Sequence, residues 1–322
     1  MKSFLNLSMG VVLIFQCGAL RADPSAPPVA SLDPARSLAC TPSFADCSGF
    51  DAVVFVHGIY GNDDTFVNPT TSFDWPSRFP SMVSERRIDV YRLNYQSAML
   101  SWAKKKNPRF DEVAKAVKDA LKPLRDRRYR TIGFIAHSLG GNVVSTYIHL
   151  IKTGLGHPQR SQNAFVITLA TPVLGAQVAD LGTRLKQGLG IEDDLLDSLK
   201  SDNLYLRMLL EFREEEDPKE KRYVCRPVHL HAAYEEEYLG PILVVSEDSA
   251  AVSVSRMVKS PVVGFRLDHS EIAKPDGPDH VVYRWVLDRV EDEYLRVATW
   301  EDAHKDFPPE RRLCERMEFI PE

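Results

Sequence analysis

The stretch Thr131-Ile-Gly-Phe-Ile-Ala-His-Ser-Leu-Gly-Gly-Asn-Val-Val144 constrains this chain more than any other, because it joins a buried strand, an abrupt turn and a helix start within a few residues. Ile132, Phe134 and Ile135 form the short apolar run of a buried strand. Gly140 and Gly141 let the backbone reverse without a side-chain clash, and Val143, Val144, Tyr147 and Ile148 then fall at helical spacing. Ser138 sits at the turn, so it is expected at the C-terminal edge of a sheet with its hydroxyl pointing outward.

This pattern is close to Gly-x-Ser-x-Gly, the nucleophile elbow of α/β-hydrolases, with Ala136 in place of the first glycine. Small residues are needed on both sides of the serine, because a bulky one would collide with a neighbouring strand or helix. Alanine meets that need. A short motif also occurs in ordinary strand-to-helix loops, so its context decides.

The second informative stretch is Asp51-Ala-Val-Val-Phe-Val-His-Gly-Ile-Tyr-Gly61, a continuous apolar run that breaks at His57 and Gly58. Such a run suits a strand buried on both faces. The turn after it leaves backbone N–H groups aimed along the sheet's edge. The N–H groups of Ile59 and Leu139 are therefore the candidate oxyanion hole, where each donor can contribute about 3 kcal/mol of transition-state stabilisation.

Further strands are expected at 87–95, 164–172, 228–233, 242–245 and 262–267, with a helical segment over 110–124. Strands alternating with helices predict a doubly wound, mostly parallel sheet in one α/β-hydrolase domain over 49–300. Residues 173–222 break the alternation. Leu195, Leu196, Leu199, Leu206, Leu209, Leu210 and Phe212 suit an amphipathic helical segment, read as a cap insertion, with surface helices packed on the body as the alternative.

After the strand at 262–267 stands His269, and two carboxylates follow earlier strands: Glu235 after 228–233 and Asp248 after 242–245. Serine, then acid, then histidine is the chain order of the α/β-hydrolase triad. Chain order leaves Glu235 and Asp248 both open as the acid. His229 and His231 share a strand face but are read as packed or solvated histidines, because no further ligand cluster accompanies them. No metal and no organic cofactor is expected.

The first 22 residues carry one positive charge, Lys2, an apolar core over 9–15 and small residues at Gly18, Ala19 and Ala22. They read as a secretory signal peptide cleaved after Ala19 or Ala22, with a retained membrane anchor as the alternative. Export would make disulfides of the remaining cysteines, preferably Cys40 with Cys47 and Cys225 with Cys314. Residues 23–48, with five prolines between Pro24 and Pro42, read as an extended leader that need not fold, and 301–322 as a tail. A net charge of −5 without a basic block argues against nucleic acid as a partner.

From about Asp51 to Trp285 the chain resembles the serine-active-site-containing protein family of α/β hydrolases, a lipase-related group whose eukaryotic members are linked to phospholipid remodelling. The similar residues run from Val54 to Gly61, Asp74-Trp75-Pro76, Ile135 to Gly141, Ala170-Thr171-Pro172, Tyr234-Glu235, Val244 to Ala250 and Asp268 to Pro275. The resemblance implies a serine hydrolase with acyl esters or lipids as substrates, and it favours Glu235, at the family's aromatic-Glu position, narrowly over its rival Asp248 as the acid. Peripheral contact with a membrane is a further expectation. Acyl transfer or amide hydrolysis by the same residues, and a catalytically silent binding protein of the same fold, are the competing expectations.

Overall fold

The computed structural model describes residues 30–35, 40, 46–59, 61–95, 110–153, 162–172, 228–237, 245 and 262–306. The segment expected to be a signal peptide, the expected cap at 173–222, most of the strand expected at 242–245, Asp248, and Cys225 and Cys314, expected to pair, lie outside these residues.

Among the described residues the chain builds one eight-stranded sheet. Its strands are β1 (Ala30–Pro34), β2 (Phe50–Val56), β3 (Met82–Val83), β4 (Arg86–Tyr95), β5 (Thr131–His137), β6 (Asn163–Leu169), β7 (His229–Glu235) and β8 (Val263–Phe265). The order is β1-β4-β2-β5-β6-β7-β8, with β3 beside β4. β1 and β3 pair antiparallel with β4, and every other pairing is parallel. β4 lies on one side of β2 and β5 on the other. That reversal opens a crevice at the carboxyl ends of the central strands, where ligands of open α/β sheets bind.

The helices are α1 (Trp75–Arg78), α2 (Phe110–Ala120), α3 (Lys122–Asp126), α4 (Leu139–Thr153) and α5 (Val281–Ala303). The helical segment expected over 110–124 is divided at Leu121, since Pro123 cannot donate to the preceding turn and instead opens α3. Successive strand residues face opposite layers, which gives two cores. On one face Val54, Leu93, Ile132 and Phe134 meet Val113 and Val117 of α2 and Val143, Val144 and Tyr147 of α4. On the other, Val53, Phe55, Ile135, Phe165 and Ile167 meet Trp75 and the stripe Val282, Val286, Val290, Tyr294 and Val297 of α5. Each fully buried valine of that stripe contributes about 2 kcal/mol.

The described residues of the expected leader, 30–35, 40 and 46–48, enter the body rather than lying outside it. β1 pairs with the outer edge of β4, the Ala35 N–H donates to the Val90 carbonyl at 2.9 Å, and the buried Cys40 N–H donates to Asp89 Oδ2 at 3.0 Å. The ten-residue β4 would otherwise expose a row of unpaired backbone groups. A proline-bearing edge strand covers them at little cost, because Pro34 needs no donor there. The structure brings Cys40 and Cys47 together, with their Cα atoms 5.9 Å apart, as a disulfide between them requires. At the other end α5 runs past the expected boundary at 300 to Ala303.

Candidate active site

Ser138 follows the last residue of β5 and precedes the first residue of α4. Its backbone has φ 51°, a left-handed conformation that costs a non-glycine residue about 1 kcal/mol or more. The surroundings hold it there. The Ser138 N–H donates to the Leu169 carbonyl at 2.9 Å, and Thr171 Oγ1 donates to the Ser138 carbonyl at 2.8 Å. Asn142 Nδ2 ties α4 to the Pro172 carbonyl at 3.0 Å. In the sequence Thr171 stands out only as the middle of an Ala-Thr-Pro motif ending the next strand, a pattern that gives no hint of this bond.

Register brings the other turn to the serine. Val56 of β2 pairs with Ala136 of β5, so the turn at His57 and Gly58 emerges beside Ser138. The approach is so close that a Cβ on Gly58 would lie 2.7 Å from the Ser138 Cβ, and one on Gly140 would lie 2.4 Å from the His57 carbonyl oxygen. Larger residues at either place would push the two turns apart. The N–H of Leu139, the first helical residue, has no intrahelical partner, and neither it nor the Ile59 N–H donates to another described backbone group.

The turn is braced from behind by Tyr95 at the end of β4. Its ring stacks on His57 at 4.4 Å, its hydroxyl donates to the His57 carbonyl at 2.8 Å, and its backbone N–H donates to His57 Nε2 at 3.2 Å. His57 Nδ1 donates to the Gly58 carbonyl at 2.8 Å. One ring nitrogen therefore accepts and the other donates, which fixes a neutral imidazole. Burial pushes its pKa down, against weaker opposing effects of the Gly58 carbonyl and Asp63.

The histidine meets the serine, and Glu235 meets the histidine. His269 Nε2 lies 3.0 Å from Ser138 Oγ, and His269 Nδ1 lies 3.2 Å from Glu235 Oε2. Glu235 ends β7 and is fully buried. Its other oxygen accepts the Val245 N–H at 2.5 Å. An acid buried against one backbone donor leaves its second oxygen for the imidazole, so Nδ1 carries a proton and Nε2 accepts from the serine hydroxyl. Asp268, adjacent in sequence, instead shapes the loop around His269, its Oδ1 accepting from the N–H groups of Ser270 and Glu271.

His229 and His231, at the start of β7, are joined there by Glu293 of α5, and among the described residues these three form the one group with metal-ligating atoms close together. His229 Nδ1 and His231 Nε2 both donate to Glu293 Oε1, at 2.9 and 2.8 Å, while Arg296 Nε donates to Oε2 at 2.7 Å. Burial alone would raise the Glu293 pKa, but these donors outweigh it and hold the carboxyl far below its usual range. Arg296 already balances the carboxylate, so the cluster is a tie between β7 and α5, about 13 to 20 Å from Glu235 along the strand. Glu293 escaped the sequence reading although it stands on the buried stripe of α5, where a charge signals a partner.

Residues 49–224 match the family model described as "Putative serine esterase (DUF676)". The chain belongs to this family. The matched stretch includes the turn at His57, Ser138 and the α4 start, whereas Glu235 and His269 lie beyond it. No curated protein matches the chain. Among solved structures, an esterase from Rhizomucor miehei is 12% identical, with 85% of this chain and 86% of that chain covered and a TM-score of 0.50. Bacillus licheniformis lipase BlEst2 in mature form is 16% identical (80% and 97% covered, TM-score 0.47). Esterase B from Lactobacillus rhamnosis, solved with a tributyrin phosphonate, is 10% identical (81% and 80% covered, TM-score 0.49). At such identities the likeness concerns the fold, which is that of α/β hydrolases. The serine esterase is thus a mostly parallel sheet with its motif serine at the carboxyl edge.

Proposed function

We propose that this serine esterase cleaves acyl esters, with lipids as the leading class, through Ser138 as nucleophile, His269 as general base and Glu235 as the acid that orients it. The continuous line from Ser138 Oγ through His269 to Glu235 carries the reading. His269 Nε2 takes the serine proton as Oγ attacks the ester carbonyl, and the Glu235 carboxylate stabilises the imidazolium without taking its proton. The N–H groups of Ile59 and Leu139 receive the oxyanion. His269 then protonates the departing alcohol, and water, activated by the same base, releases the acid from the acyl-enzyme.

The neutral, braced His57 turn supports this assignment, since preorganised donors lose nothing by reorienting during the reaction. The N-terminal apolar segment and the Cys40–Cys47 pairing favour export, with 173–222 as a cap and peripheral contact with a lipid surface. Among the described residues no helix is long and apolar enough to cross a membrane.

Hydrolysis of p-nitrophenyl esters of increasing chain length, by the wild type and by Ser138→Ala, is the test. Activity and fluorophosphonate labelling are expected in the wild type and absent from the mutant. Activity that survives the substitution, or a wild type that neither hydrolyses nor labels, would overturn the reading.

A further inference from the structure

His137 immediately precedes the serine, closes β5 and is only 8% exposed. Its Nε2 faces the carbonyl oxygen of His269 at 2.8 Å, so it donates, and its ring lies 4.9 Å from the His269 ring at 46°. Its Nδ1 is buried without a partner. Consecutive residues of one turn thus grip the same distant residue twice, Ser138 by the side chain and His137 by the main chain.

Packing alone does not call for this residue. An apolar side chain would fill a buried strand end without an orphan nitrogen, whose desolvation costs about 1–3 kcal/mol. What the imidazole adds is a fixed reference for a loop that needs one. His269 follows a strand of only three residues, and the neighbouring turn bonds close on Asp268, Ser270 and Glu271 rather than on His269 itself. β5, by contrast, lies between β2 and β6 with every residue buried. A hydrogen bond from its end transfers that rigidity to the base.

We propose that His137 is a positioning residue for the reaction: its Nε2–H holds the His269 main chain so that the His269 ring stays in line with Ser138 Oγ. This rests on the reading of Ser138 and His269 as nucleophile and base. The role also requires an uncharged ring, because a second cation 4.9 Å away would oppose the imidazolium formed on His269. Burial, with the nearby His269 and Lys274 adding to it, pushes the His137 pKa down to about 3, so the ring is neutral wherever esterases are assayed.

Side-chain amides separate positioning from packing. The Gln amide nitrogen reaches the place of the imidazole Nε2, whereas the Asn nitrogen reaches that of Nδ1. In the full-length protein, His137→Asn and His137→Leu are expected to lower kcat by about 10- to 100-fold, as misplacement of a reacting group by up to 1 Å does, with KM little changed. Fluorophosphonate labelling should slow in parallel, and His137→Gln should recover at least about tenfold of the lost kcat. If Gln, Asn and Leu give the same kcat at matched folded fractions, read from thermal melts, or if only KM moves, the positioning role is overturned. A wild type that neither labels nor hydrolyses overturns the catalytic reading itself, which keeps the two failures apart.

Discussion

Replacing Glu235 by glutamine leaves the shape of the site intact and reverses one hydrogen-bond polarity. The carboxylate accepts twice, from the Val245 N–H at 2.5 Å and from His269 Nδ1–H at 3.2 Å. An amide can accept at one position only. If its oxygen keeps the Val245 N–H, its NH2 group faces His269 Nδ1, which must then give up its proton. The imidazole switches tautomer, Nε2 becomes a donor, and Ser138 loses its base. In the opposite orientation the amide N–H groups confront the buried Val245 N–H, an unsatisfied pairing that costs about 1–3 kcal/mol. The non-productive orientation therefore dominates by about 5- to 150-fold from this energy alone, and the loss of the carboxylate's charge beside the imidazolium acts on top of it. A kcat lower by up to about 10⁴-fold, near 5 kcal/mol, is expected from the effect of the same exchange in another triad. The assay is p-nitrophenyl butyrate hydrolysis, with thermal melts to show that the variant is folded. Retention of more than about a tenth of wild-type kcat would refute this reasoning, as would a larger loss from Asp248→Asn.

Ser138→Gly should abolish activity yet raise stability by about 1 kcal/mol, because glycine adopts the left-handed backbone without strain; a lower urea midpoint would contradict this. Tyr95→Phe leaves the His57 carbonyl without its hydroxyl donor and should lower kcat more than it raises KM, measured with the same ester. Glu293→Gln should destabilise the fold at pH 7 by about 3 kcal/mol in urea denaturation, since two histidines and Arg296 lose a buried carboxylate. The folded pKa of Glu293 is depressed, so its stabilisation is complete above the unfolded value near 4.3 and is lost as pH falls below it. His137, whose folded pKa is about 3, makes stability begin to fall earlier, as pH drops below about 6.5, because only the unfolded chain takes up the proton there. Urea midpoints from pH 7 to 4 should show that early decline in the wild type and less of it in His137→Gln.

The sheet was legible because parallel strands are buried on both faces and leave unbroken apolar runs. Ala52 to Val56, Ile132 to Ala136 and Ala164 to Ile167 all stand out for that reason. β1 was not legible. An edge strand exposes one side and tolerates proline, so Ala30–Pro34 has the composition of a linker, and only the open edge of β4 makes it a strand. Ser138 and His269 could be singled out because each follows a strand end in a characteristic chain order, which left Glu235 and Asp248 both open as the acid. The preference for Glu235 over Asp248 was narrow in the sequence, as both are carboxylates after apolar runs.

The sequence by itself determined the strand-turn-helix at Ser138, the glycine turn after β2 and the order of Ser138, the two carboxylates and His269 at strand ends, since these depend on local backbone freedom and on the period of apolar residues. Only the tertiary structure showed that Glu235 reaches His269, that His137 bonds the His269 main chain, that Tyr95 braces the His57 turn and that Glu293 joins two histidines. Each of these contacts links residues far apart in the chain, and its hydrogen-bond direction depends on what else is buried beside it. No local pattern encodes that register; it arises when the strands align and the helices close over both faces.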